Sequence, residues 1–133
     1  MIGFDLIKSP KIIYNAYNDS KGLFERFNLH LLDRINQVLG GTFKKEFFVH
    51  QGHYNPIIQA LESYLYSTKK QTVRIRNLNK DFKFNAWEGL KTEQSYKYSI
   101  EEIELLARGN GFKVIKKLYD SREYFVDSIW EVK

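Results

Sequence analysis

The spacing of apolar residues changes near Phe47 in this 133-residue chain, and that change constrains the fold more than any other feature. Before Phe47, apolar residues recur three and four positions apart, which is the period of an amphipathic helix. Beyond it, apolar and polar residues alternate, as around Val73 and Ile75, which is typical of a strand with one buried face. The pattern predicts an α+β fold in which helices pack on an antiparallel meander.

Three helices are predicted from start and stop signals. The first begins at Pro10, since proline suits the first helical position. The second follows the capping residues 18–20 and ends at Gly40. The third starts with a capping box formed by Ser99 and Glu102. The second helix carries one predicted apolar stripe, made of Phe24, Phe27, Leu31, Ile35 and Val38.

The strands are predicted from alternation and from turn residues. Residues 2–7 form a strand, and residues 47–84 form the meander. Residues 87–97 read as an irregular or extended linker, and residues 112–118 and 124–132 form a hairpin. We expect the hairpin to share a second, smaller strand group with residues 2–7.

Composition excludes several classes of protein. The chain is 43% hydrophobic and 16% aromatic, which is too apolar for a disordered segment. No apolar run approaches the roughly 20 residues that span a membrane, and the first residues have no signal-peptide pattern. The absence of cysteine excludes disulfides and thiolate metal sites and fits the cytoplasmic location that we expect.

One short stretch accounts for much of the net charge of +5. Two interpretations fit it: a nucleic-acid-binding stripe, or the solvated face of a strand pair. The apolar residues between the charges alternate, which favours the solvated face, so we expect no nucleic acid as a partner. The basic residues are Lys69, Lys70, Arg74, Arg76, Lys80 and Lys83.

The chain carries few residues arranged for chemistry. It has no glycine-rich phosphate loop, and no histidine lies at metal-ligand spacing from carboxylates. His50 and His53 are three apart on a predicted strand and should point to opposite faces. The sequence therefore predicts no catalytic residue and no metal ligand.

Glu93 and Ser95 are the most informative polar pair. In an extended backbone their side chains project to the same side. A carboxylate and a hydroxyl side by side can hold the two nitrogens of an imidazole ring. From the residues alone, a plain polar loop before the third helix is the favoured interpretation.

Three groups of segments resemble the histidine-specific, S-adenosylmethionine-dependent methyltransferases, whose best-known member trimethylates the α-amine of histidine in ergothioneine biosynthesis. Together they cover nearly the whole chain. The segments are DLIK at 5–8, AYND at 16–19 and FNLHLLDRIN at 27–36; FVH at 48–50, YN at 54–55 and LESYL at 61–65; and TEQSYKYS at 92–99 followed by GF at 111–112.

The resemblance implies a division of the chain. Residues 1–8 would be a late strand of a Rossmann-like methyltransferase sheet, and residues 9–96 an inserted substrate-recognition domain. Residues 97–133 would return to that sheet as its C-terminal helix and hairpin. The donor-binding glycines and acidic residues of the family would lie upstream.

The resemblance also implies the substrate site. Tyr17 matches the tyrosine that contacts the amino-acid end of the substrate, and Glu93 and Ser95 match the pair that holds the imidazole. Ser63 stands where the histidine enzyme has a methionine lining the pocket, so the acceptor could be a related amino acid. Gln94 stands where the family usually has asparagine.

The implied function is that of the C-terminal part of a methyltransferase that uses S-adenosylmethionine and acts on the α-amine of histidine or a related amino acid. This chain alone is expected not to turn over, because the donor site lies in the missing N-terminal half. The alternative is a truncated, non-catalytic module that binds a ligand or nucleic acid. We expect unpaired strands to drive formation of a homodimer through residues 1–8 and 112–132; a monomer is the alternative.

Overall fold

The computed structural model describes all 133 residues and has a mixed α+β fold. Two three-stranded sheets and a two-stranded ribbon are all antiparallel. The helices are α1 (Pro10–Tyr17), α2 (Leu23–Leu39) and α3 (Ile100–Gly109). The strands are β1 (Ile2–Asp5), β2 (Phe48–Asn55), β3 (Ala60–Ser67), β4 (Gln71–Ile75), β5 (Lys80–Phe84), β6 (Gly89–Tyr96), β7 (Phe112–Tyr119) and β8 (Phe125–Val132).

The central sheet has the order β2-β3-β6. The prediction of an irregular or extended linker over residues 87–97 is right only in that the backbone is extended: most of this segment is the regular strand β6 and not a linker. Its inward positions carry Glu93 and Ser95 rather than apolar residues, which hides the alternation that would reveal a strand. The predicted meander is also divided: β2 and β3 belong to the central sheet, whereas β4 and β5 form the separate ribbon.

Helix α2 packs on β2, but the predicted apolar stripe is rotated from the face that is buried. Phe27 and Val38 are 72% and 66% exposed, whereas Asn28 and Leu32 are buried. Ile35 of the predicted stripe does pack against the core, but the exposed and the buried residues named above lie about 100° apart around the helix, the turn of one residue. Two asparagines cause the error: Asn28 bonds a histidine of β2, and Asn36 bonds the backbone of the following loop. Polar residues with internal partners occupy the buried face.

The larger core lies between α2, the central sheet and the ribbon. Aromatic and branched aliphatic side chains from the helix, the central sheet and the ribbon make up this core. The buried members are Leu32, Phe43, Phe48, Leu65, Val73, Ile75 and Phe84. None of the three helices is long and apolar enough to cross a membrane.

The smaller sheet has the order β1-β8-β7, as the sequence predicts for the second strand group. Helix α3 covers it, and the capping box is present: the Ser99 hydroxyl accepts from the Glu102 N–H, and the Glu102 carboxylate accepts from the Ser99 N–H. Phe4 and Ile103 are buried in its core. The family resemblance also predicts that Ile103 and Leu106 lose cover without the upstream part of the sheet. That prediction is wrong for Ile103, which is completely buried, whereas Leu106 is 41% exposed.

Candidate substrate-binding site

One end of the inner face of the central sheet is polar. Gly52, Ser63 and Glu93 lie opposite one another on β2, β3 and β6. Residues directly opposite in an antiparallel pair place their side chains on the same face. Ser95 lies two residues beyond Glu93, on that same face. We call these four residues the polar end.

Two side chains of the polar end lack internal partners. The Ser63 hydroxyl is completely buried and makes no hydrogen bond within the protein. The Glu93 side chain is exposed and takes part in none of the seven ion pairs. Buried polar groups are normally satisfied, so an orphaned hydroxyl beside a free carboxylate indicates a place for a ligand.

The C-terminal end of α1 is fixed to the polar end by Asn18. The Asn18 side chain accepts from the Gly52 N–H at 2.8 Å and donates to the Gly52 carbonyl at 3.2 Å. A Cβ atom on Gly52 would lie 3.0 Å from the Asn18 amide nitrogen and 3.3 Å from Tyr17 Cβ. Glycine at this position therefore permits the close approach that brings Tyr17 over the sheet.

His50 provides a second anchor for α1. Its Nε2 lies 2.8 Å from the Tyr17 carbonyl oxygen, and its Nδ1 lies 2.8 Å from the amide nitrogen of Asn28. A carbonyl oxygen only accepts, so Nε2 carries the proton and Nδ1 accepts from Asn28. His50 is thus structural. His53 bonds Tyr66 instead, so the two histidines point to opposite faces as predicted.

Tyr17 and Ser95 meet although 78 residues separate them. The Tyr17 hydroxyl donates to Ser95 Oγ at 2.7 Å. Lys97 Nζ donates to Ser95 Oγ at 2.7 Å and to the Tyr17 hydroxyl oxygen at 3.0 Å. The structure therefore brings Tyr17, Ser95, Ser63 and Glu93 to one sheet face.

Lys97 is the residue that the sequence analysis missed. Its side chain is 1% exposed, and its ammonium pairs with Asp5 of β1 at 2.8 Å. Burial disfavours the charged ammonium, but hydrogen bonds to Asp5 and Tyr17 outweigh it and raise the pKa of Lys97. Asp5 also pairs with Lys8. The available signal was position: Lys97 follows Glu93 and Ser95 at the same two-residue spacing.

A comparison with known sequences decides the family. The family model described as histidine-specific methyltransferase, SAM-dependent, matches residues 1–132.

This chain is a member of the histidine-specific methyltransferase family.

Among curated proteins, the chain is 32% identical over 111 residues to histidine N-alpha-methyltransferase of Mycobacterium tuberculosis, covering 82% of this chain and 35% of that protein. It is 30% identical over 103 residues to histidine N-alpha-methyltransferase of Mycolicibacterium smegmatis, covering 77% and 32%. It is 26% identical over 138 residues to ergothioneine biosynthesis protein 1 of Neurospora crassa, covering 93% and 14%. The chain thus spans about a third of the length of the two mycobacterial relatives.

The residues of this chain do not fit a donor site. A methyl donor of this size is normally held by a glycine-rich turn between a strand and the following helix. Two such connections occur here, residues 6–9 between β1 and α1 and residues 97–99 between β6 and α3. Neither contains a glycine. No step of the reaction is therefore assigned to the donor through these residues.

The basic residues of the chain lie on and beside the β4–β5 ribbon. Arg74 pairs with Asp81 at 3.1 Å, and the Lys69 ammonium sits 3.2 Å from the centroid of the Phe47 ring. The Arg74 charge is therefore balanced locally, whereas the Lys69 ammonium contacts an aromatic ring.

Proposed function

We propose that this chain is the substrate-recognition part of an S-adenosylmethionine-dependent methyltransferase that acts on the α-amine of histidine or a related amino acid. The observation that supports this most is the polar end: Ser63 and Glu93 lack internal partners and face the same way as Ser95. Family membership and the names of the mycobacterial relatives supply the reaction class.

Each side chain has a role in this proposal. The Glu93 carboxylate accepts from one ring N–H of the substrate, and Ser95 bonds the other ring nitrogen. Tyr17 orients the amine end. Transfer of a methyl group needs an amine held in line with the sulfonium, so positioning by such contacts can supply much of the rate.

Ser63 would set the size of the acceptor. The residue is completely buried on the face that carries Glu93, and its hydroxyl is unsatisfied. Serine is smaller than the methionine of the histidine enzyme, which leaves room for a substituted or larger side chain. A polar substituent that bonds the Ser63 hydroxyl would be preferred over an apolar one, because it satisfies a buried group.

The proposed division follows the resemblance: residues 1–8 and 97–133 associate with a Rossmann-like donor-binding part, and residues 9–96 recognise the substrate. The outer edge of β1 supports this: Tyr98 bonds only its Asp5 end, and no other strand of the sheet pairs with β1 on that side. A second copy of the chain is the other partner that this edge could take. A charged residue on β1 tests whether this edge binds the donor-binding part or a second copy of the chain. Ile2→Asp is the suitable variant, because Ile2 is 42% exposed. Phe4→Asp is unsuitable, because Phe4 is 6% exposed and the substitution would damage the core.

Substrate recognition is tested by titrating the ¹⁵N-labelled chain with L-histidine and following its backbone amide signals. We expect shifts at Ser63, Glu93 and Ser95, and loss of binding in Glu93→Gln because the acceptor of the ring N–H is weakened. Glu62→Gln is the matched control, since Glu62 pairs with Lys91 on the opposite face of the same sheet. Binding that survives Glu93→Gln, or shifts confined to the opposite face, would overturn the site.

The reaction is tested in a chimera. Residues 1–133 replace the matching third of the Mycolicibacterium smegmatis enzyme, and transfer of labelled methyl from S-adenosylmethionine to histidine is measured. We expect transfer that Glu93→Gln abolishes and Glu62→Gln leaves intact. A chimera that folds and binds the donor but methylates neither histidine nor a ring-bearing analogue would contradict the proposed activity.

A further inference from the structure

The ammonium of Lys97 has no hydrogen left for a ligand. A protonated lysine has three N–H donors and no acceptor. The three are used by Asp5 Oδ2 at 2.8 Å, the Tyr17 hydroxyl oxygen at 3.0 Å and Ser95 Oγ at 2.7 Å. Since the side chain is 1% exposed, Lys97 acts on a ligand only through its neighbours.

Ser95 is the neighbour whose chemistry Lys97 decides. A serine hydroxyl has two acceptor lone pairs and one O–H donor. Lys97 donates to Ser95 Oγ, and so does Tyr17, because a phenol is more acidic than a serine hydroxyl and is the better donor of the pair. Both lone pairs of Ser95 Oγ are therefore occupied. The Ser95 hydrogen itself has no acceptor within the chain, because Ser95 donates in none of its hydrogen bonds. Toward a ligand, Ser95 can therefore only donate.

Glu93 supplies the opposite character on the same face. An ionised carboxylate is an acceptor only. The polar end thus offers a ring one acceptor at Glu93 and one donor at Ser95. A neutral imidazole matches this set with one N–H and one bare nitrogen, whereas an imidazolium presents two N–H groups, and the second would meet the Ser95 hydrogen.

We propose that Lys97 is a positioning residue that locks Ser95 as a hydrogen-bond donor, so that the site takes the neutral imidazole ring and rejects the imidazolium. This inference rests on the proposed function, because it specifies the form of the substrate that the same site accepts.

The charges around Ser95 have opposite effects on the protonation state of a bound ring. Glu93 on β6 favours a cationic ring, whereas Lys97 and Lys8 outnumber the single carboxylate of Asp5 and disfavour it. The other titratable groups that face this region are Tyr17 on α1 and His50 and Tyr54 on β2. With long-range charges opposed, the hydrogen bond at Ser95 decides the protonation state of the ring.

The test uses L-histidine labelled with ¹⁵N in the ring, bound to the 133-residue chain at about pH 6, where free histidine is mostly imidazolium. Ring nitrogen shifts distinguish a protonated from a bare nitrogen, and unlabelled His50 does not contribute. We expect one protonated and one bare nitrogen in the bound ring. We also expect affinity to fall about tenfold for each pH unit below the ring pKa. Two protonated nitrogens would overturn the inference.

The role of Lys97 is tested in the variant Lys97→Met. If that variant fails to fold, the double variant Asp5→Asn with Lys97→Met is used, because it removes the carboxylate that Lys97 would otherwise leave without its partner. In either, Ser95 regains a free lone pair, so the bound ring should become imidazolium at about pH 6 and the pH dependence should disappear or reverse. Lys91→Met, on the opposite face, should behave like the unaltered chain.

Each outcome separates the two proposals. A folded Lys97 variant that still binds a neutral ring overturns the inference and leaves the proposed function standing. If the unaltered chain and the folded Lys91→Met control both fail to bind histidine at every pH, the proposed function is overturned. This inference is then overturned with it.

Discussion

The two ends of the inner face of the central sheet differ in chemistry although they lie on the same strands. At the apolar end, Phe48 and Leu65 are buried in the larger core. Two to four residues further along, the polar end presents Ser63 without a partner and Glu93 exposed. The apolar end has the composition that packing requires, whereas the polar end is arranged in a way that packing alone does not explain.

The difference teaches that a single face of a small sheet can serve two purposes. Helix α2 covers the apolar end, and the last turn of α1 reaches the polar end, where Asn18 fixes it to Gly52. The connection between the helices is short, and Asp19 there accepts from the Leu23 and Phe24 N–H groups at the start of α2. One helix pair therefore supports the core and aims Tyr17 at the site.

The largest expected effect compares two residues of β3. Leu65→Ala should lower the free energy of unfolding by about 2–5 kcal/mol, because it leaves a cavity in the core. Ser63→Ala removes an unsatisfied buried hydroxyl and should change stability by less than about 1 kcal/mol. Urea unfolding of both variants measures this. Equal losses would mean that the polar end packs as core and is not reserved for a ligand.

The second effect concerns the buried lysine. Lys97→Met leaves Asp5 with only Lys8 as a partner and should cost roughly 1–3 kcal/mol of unfolding free energy. The pKa of Lys97 is raised in the folded chain, so its contribution is present below about pH 10.4 and is lost as pH rises through the folded value. Urea unfolding near pH 7 and above pH 11 checks both statements. A Lys91→Met loss of the same size would show that burial of Lys97 is irrelevant.

The third effect tests how α1 reaches the polar end. A Cβ on Gly52 would press against Tyr17 and Asn18, so Gly52→Ala should cost about 1–2 kcal/mol and displace Tyr17. Gly109→Ala is the control, because a Cβ there meets no atom within 4 Å. Histidine binding should weaken in the first variant and not in the second. Unchanged binding in Gly52→Ala would show that the position of Tyr17 does not matter.

The smallest effect is a pH dependence at Asp19. Hydrogen bonds from the Phe24 and Leu23 N–H groups hold the pKa of Asp19 below its ordinary value. A lowered folded pKa gives stability that is present above about pH 3.9 and is lost as pH falls through the folded value. The gap in stability between the unaltered chain and Asp19→Asn should therefore narrow in acid. A constant gap from about pH 7 to pH 2 would contradict this account.

Much of the fold follows from the sequence because its signals are local. Proline at the start of α1, the glycine that ends α2 and the Ser99–Glu102 box each fix an element within a few residues. The alternation of β4 and β5 is equally direct. Family membership then comes from motifs that run along nearly the whole chain.

The remainder depends on contacts between distant segments. Strand β6 was hidden because its inward side chains belong to the polar end rather than to the core. The buried face of α2 was hidden because Asn28 is satisfied by His50, 22 residues away. Lys97 was missed because its partners Asp5 and Tyr17 are about 80 or more residues distant in sequence. Polar residues with long-range partners are thus the common cause.

The most direct test of the central claim is a crystal structure of the chain soaked with L-histidine. The account predicts the ring at the polar end, with one ring nitrogen about 2.7–3.2 Å from the Glu93 carboxylate, the other at a similar distance from Ser95 Oγ, and the amine end toward Tyr17. A ring bound on the opposite face, beside Tyr64 and Tyr66, with the polar end filled only by water, would contradict it.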